Sequence, residues 1–194
     1  MSENKVKYNL SNVHYALLTF NTSGAPVFGT PKAFPGAVSL SLDAQGEQSV
    51  LYADNIEYWV GNNNRGYAGT LEVARVIDDF AKDILGDIAD NKGVLLENKN
   101  APVKHFALVF QFDGDEHNTK HVMYNMTAER PGVASQTQGE SLEPQTETLN
   151  IKAGSIYVAA IDKTVVKAKT CDSTDSTTYS GWESSVYVPA GLPV

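Results

Sequence analysis

The sequence predicts a mainly β protein, an antiparallel β-sandwich or barrel-like fold flanked by one α-helix at about residues 78–89. Three observations carry this. Apolar and polar residues alternate with period two through most of the chain, the pattern of strands with one buried face. Short turn-rich segments separate these runs, as in all-β folds. Only one stretch switches to helical spacing.

In chain order, strands are predicted at His14 to Phe20, at Ala37 to Leu42 with Val38, Leu40 and Leu42 on one face, at Ser49 to Ala53 and at Tyr67 to Val76. From Asp78 to Ala89 the apolar Phe80, Ile84, Leu85 and Ile88 fall on one helical face, with Asp79, Lys82, Asp83 and Asp87 on the other. Asp78 suits the N-cap, and Gly86 or Gly93 marks the end. The clearest signal follows. Phe106, Leu108, Phe110 and Phe112 alternate with His105, Ala107, Val109 and Gln111, then comes a turn at 113–118, then Val122, Tyr124 and Met126 alternate again, which together read as a long β-hairpin. Further strands are expected at Thr148 to Ala153, Ser155 to Ile161, Thr164 to Lys169 and Ser185 to Val188.

Residues 1–194 read as a single domain with an N-terminal arm at about 1–12 and poorly packed polar or turn-rich stretches at 54–66, 129–144 and 171–181. A chain of this length buries enough surface to fold without staples. Cys171, the single cysteine, has no partner for a bridge.

The charge balance of 15 Lys and Arg against 23 Asp and Glu, net −8, comes without a basic cluster and speaks against tight nucleic-acid binding. No apolar run is long enough to span a membrane and no signal-peptide pattern is present, so no membrane partner is expected.

Catalytic and cofactor motifs are lacking. No serine occupies a nucleophile elbow, no glycine-rich run forms a phosphate cradle, and Cys171 sits among Ser and Thr. Asp113, Asp115, Glu116, His117 and His121 suggest a metal, but the two histidines four apart share a face only on a helix, and this segment reads as a hairpin. No enzyme activity, cofactor or metal is expected.

The aromatics are more informative. Tyr58 and Trp59 lie in a turn-rich stretch and either present an interface or fold back over the sheet; Trp182 poses the same choice.

The order of segments, Gly66 to Ala74, Ile77 to Gly86, Phe106 to Asp115, His121 to Pro131 and Glu143 to Leu149, closely resembles the major tail proteins, or tail tube proteins, of long-tailed phages and prophages of Gram-positive bacteria. The resemblance covers about residues 5–170. It implies a structural virion protein that self-assembles into hexameric rings, stacked into a hollow tube, with one sheet per subunit joining a continuous inner β-barrel. Its partners would be copies of itself, a tape-measure protein, and tail terminator or tail tip proteins. DNA would pass through the lumen without stable binding, and an acidic subunit would repel it. The protein would await assembly in the host cytoplasm. The family's long loop falls at about 43–66, which implies subunit contacts by Tyr58, Trp59, Asn62 and Arg65, with Tyr8 and Trp182 as secondary candidates. No appended immunoglobulin-like domain is expected. The alternative is a monomeric β-sandwich that binds carbohydrate or protein through Tyr58, Trp59 and Trp182.

Overall fold

A computed structural model describes residues 4–139, 141 and 143–192. In chain order its elements are β1 (Lys7–Phe20), β2 (Pro26–Phe28), β3 (Lys32–Ala33), β4 (Ala37–Gln45), β5 (Gln48–Ala53), β6 (Ile56–Asn62) and β7 (Gly66–Val73). Then come α1 (Asp78–Phe80) continuing as a π-helical turn (Ala81–Leu85), β8 (Ile88–Ala89), β9 (Leu95–Leu96), β10 (His105–Gly114) and β11 (Thr119–Ala128). The chain continues through β12 (Glu147–Gly154), β13 (Ile156–Val158), a 3₁₀ turn (Ala159–Ile161), β14 (Lys163–Val165), β15 (Lys167–Lys169) and α2 (Ser176–Gly181). The fold is mainly β, as the alternation predicts.

The expected β10–β11 hairpin forms, pairing Val109 with Val122 and Phe112 with Thr119. It is the middle of an antiparallel sheet of order β2-β1-β10-β11-β12-β7-β4, with β3 alongside β1 and β15 alongside β11. The first half of β11 pairs with β15 and the second half with β12. Here both faces of the hairpin are buried, where the alternation suggested one. Phe106, Leu108 and Phe110 enter one core with Val13, Tyr15, Leu71, Val73, Met126 and Ile151. Ala107, Val109, Val122 and Tyr124 enter a second core, roofed by Ile156, Val158 and Trp182. Central strands buried on both faces carry apolar residues at every position, and Ala107 and Val109 supply them on the second face.

The first core is closed by the helical segment. Phe80 stacks on Phe34 with ring centroids 4.7 Å apart and meets Tyr15 and Phe106 edge-on. The segment is shorter than predicted and departs from it in three ways. Its N-cap is Ile77 rather than Asp78, which instead pairs with Arg75. It ends at Gly86, whose φ of 80° is left-handed, so Ile88 and Ala89 belong to β8. Asp83 and Asp87 do not simply face water: Asp83 accepts from the Tyr15 hydroxyl at 3.0 Å and pairs with Lys32, while Asp87 pairs with Arg130 at 2.7 Å. Arg130 also donates to the Leu85 carbonyl, occupying one of the free acceptors at the helix end.

Four further expectations are corrected. Residues 7–12 of the expected arm are strand, paired with β10 through irregular register near Asn9 and Asn12, which both adopt positive φ; the first three residues lie outside the described ones. Asn4 anchors the entry by bonds to the 116–119 turn. Val38 points away from Leu40 and Leu42 because the register shifts between Ala37 and Ser39. In the polar segment 171–181, Asp175 accepts from the Thr178 N–H and starts α2. Residues 185–188 form no strand.

Tyr124 is fully buried in the second core, and among the described residues its hydroxyl has no hydrogen-bond partner. Desolvation raises its pKa. Removing an unpaired buried hydroxyl recovers its desolvation cost, so Tyr124→Phe is expected to stabilise the fold by about 1 kcal/mol. Denaturant unfolding checks this; a loss of stability would reveal a partner for the hydroxyl.

Candidate functional site

The segment 43–66 is mostly not a loop. β4 extends to Gln45, and residues 48–62 form a second hairpin, β5–β6, whose strands pair with each other and, among the described residues, with no other strand. Ala53 faces Ile56, leaving Asp54 and Asn55 as the turn, with φ of 52° and 63°. Left-handed conformation at both central residues is the type I′ turn that matches strand twist, and Asp and Asn tolerate it best after Gly. Between the pairs Leu51 with Trp59 and Tyr52 with Glu57 the register shifts, leaving Tyr58 as the extra residue of a bulge.

Trp59 lies over Gly61. A Cβ on Gly61 would collide with the Trp59 indole, so glycine leaves the ring room to lie along the strand. The Tyr52 hydroxyl donates to Glu57 Oε1 at 3.1 Å. These local contacts hold the arm, and no other element packs extensively against either strand.

Exposed apolar side chains therefore cover it: Leu51, Tyr52, Ile56, Tyr58, Trp59 and Val60, with Tyr58 69% and Trp59 55% accessible. Scattered exposed apolar residues are ordinary, but a run on a self-paired arm is the composition of a docking element. Residues 48–62 carry Asp54 and Glu57 and no Lys or Arg, so the arm is acidic.

Four of the six predicted contact residues come together here. Tyr58 and Trp59 stand on β6, Asn62 ends it opposite Gln48, and Arg65 lies at the root with its backbone N–H bonded to the Gln45 carbonyl at 2.8 Å. Asn62 and Arg65 are exposed. Tyr8 is exposed but sits apart on β1, its hydroxyl donating to the Gly114 carbonyl.

Trp182 is a correction. It is 3% exposed, stacks on Tyr187 at 5.1 Å and donates its indole N–H to the His121 carbonyl. It is a core residue, and as such it offers no platform to a sugar or a subunit. The sequence reading also passed over Leu51, Tyr52, Ile56 and Val60, although apolar runs on both sides of Asp54-Asn55 are a hairpin signal.

At the arm's root, β4 ends the main sheet; β1 approaches it, but among the described residues no strand pairs with its outer edge. Its sequence contains no Pro or Lys to block pairing with another strand. One face of β4, β7 and β12 is polar and small: rows such as Ser39, Glu72 and Thr148, or Ser41, Thr70 and Asn150, run across it. Glu72 accepts from Thr146 and Ser39, which in that order hold its pKa below the usual carboxylate range.

The acidic turn after β10 has local duties. Asp113 accepts from Asn9, Gln111 and Ser11, and Asp115 accepts from the backbone of Lys5 and Val6. His117 pairs with Asp172 at 2.8 Å, whereas the His121 ring stacks on Phe110. Among the described residues no three His, Cys, Asp or Glu gather as a cation site, and no helix is long and apolar enough to cross a membrane.

No protein-family model matches the chain, and no curated protein matches it either.

Proposed function

We propose that this chain is a self-assembling structural subunit, a major tail protein whose hexameric rings stack into the tail tube of a long-tailed phage, with no catalytic role. The observation that carries the reading is the β5–β6 arm: an acidic, apolar-surfaced hairpin held only by its own pairing, at the location where the resemblance puts a subunit contact. Two features support it. The unpaired edge of β4 offers a neighbour a place to extend the sheet, and the hydroxyl-rich face of β4, β7 and β12 would line a lumen whose cation, Lys152, is paired with Glu129 and so offers DNA little to hold. In this reading the tape-measure protein occupies the lumen before DNA, and tail terminator or tail tip proteins close the ends.

Negative-stain electron microscopy over a concentration series tests the proposal. Sixfold rings or hollow tubes are expected. Monomers at every concentration, together with saturable glycan or protein binding through Tyr58 and Trp59, would instead establish the binding-module alternative.

A further inference from the structure

Beside the arm's root, an aromatic cleft of about 200 Å³ opens at the end of the first core, floored by Leu40, Leu42, Phe110 and Met123. A cavity of about 150 Å³ admits benzene, so this one has room for a single aromatic ring. Two lysines stand at it. Lys7 Nζ lies 5.1 Å from the centroid of Phe112, and Lys167 Nζ lies 4.5 Å from that of Tyr67. Among the described residues neither forms an ion pair with a carboxylate.

The imidazole of His121 reports the local field. Burial first, then Lys169, Lys167 and Lys7, depress its pKa to about 4, leaving the ring neutral at physiological pH. In a chain of net charge −8 this is a locally basic site, walled by aromatic rings.

From this cleft and the acidic arm, we propose that the cleft of one subunit is the receptor for the β5–β6 tip of a second copy, Tyr58 entering between Phe112 and Tyr67 while Asp54 and Glu57 meet Lys7 and Lys167. The inference rests on the self-assembly reading and adds where the arm docks. Charge complementarity selects the occupant: the tip carries two carboxylates and no cation, and the cleft carries two cations with no carboxylate partner. A desolvated aromatic anchor surrounded by paired charges is the composition of an interface hot spot.

The experiment compares three variants with the wild type by electron microscopy and sedimentation, with circular dichroism to establish folding. Lys7→Glu with Lys167→Glu should raise the concentration needed for assembly at least 10-fold, and Asp54→Lys with Glu57→Lys should do the same. Combining all four restores opposite charges across the contact and should recover most of the loss. In a Cys171→Ser background, Tyr58→Cys with Phe112→Cys should then yield covalent oligomers under mild oxidation. Normal assembly by the cleft variant, or no recovery in the fourfold variant, overturns the docking while leaving self-assembly intact. A cross-link formed within one chain also overturns it, and assigns the cleft to the subunit's own arm. A wild type that stays monomeric at every concentration overturns both.

Discussion

Replacing residues 46–65 with an Asn-Gly turn is expected to leave a folded chain that no longer polymerises. β4 and β7 are already antiparallel neighbours, and Gln45 faces Gly66, so a tight turn joins them without moving either strand. Neither core contains a residue of β5 or β6. The thermal midpoint should therefore change little, while the loss of Tyr58, Trp59 and their neighbours removes the exposed aromatic anchors. Deleting hot-spot residues costs 2 kcal/mol or more, and losing several together corresponds to a rise of about 100-fold or more in the concentration required for assembly. Tubes formed at the wild-type concentration would remove the arm from the mechanism.

The second large effect separates core from interface. Trp182→Ala is expected to destabilise the fold by about 3–5 kcal/mol, the usual cost of truncating a buried Trp. The indole roofs the second core, stacks on Tyr187 and bonds to the His121 carbonyl, so its loss also loosens the C-terminal segment. That segment has further anchors in Lys120, which is buried, bonds to the Tyr179 carbonyl and pairs with Glu183 at 3.0 Å. Denaturant unfolding measures the loss. A Trp182→Ala protein with wild-type stability but defective assembly would return this residue to the surface role that its sequence neighbours suggest.

The β10–β11 hairpin was visible because its alternation is long and aromatic, and because Asp113-Gly114 punctuates it. The second buried face was harder to read, since Ala107 and Val109 alternate among His105 and Gln111. β5 is legible as the strand at Ser49 to Ala53, but β6 was hidden by composition: Asn62, Asn63 and Asn64 resemble loop, and the pairing depends on φ values at Asp54 and Asn55 that sequence only permits. For Trp182 the sequence context misled. Its neighbours are polar, but its burial is set by β11, far earlier in the chain. In α2 a run of Ser and Thr concealed an N-cap, because the same side chains that disfavour helix interiors satisfy free N–H groups at helix starts. Four of the six predicted contact residues lie on the arm or at its root, yet the cleft was not legible, since it draws Lys7, Leu42, Phe112 and Lys167 from separate strands.

The self-contained pairing of the arm divides the molecule into two cooperative units of unequal durability. An isolated two-stranded hairpin is marginal in water, whereas β10 and β11 are covered on both faces and open only when the whole domain does. Fraying of the arm need not propagate into the sheet, so the arm can open and re-form repeatedly while the body stays intact. Association must then supply the entropy of ordering the arm, which weakens single encounters and favours sites where several contacts close together. In the proposed tube, growth on an existing ring would thereby outrun spontaneous nucleation, because a self-paired arm is only marginally stable in the free subunit.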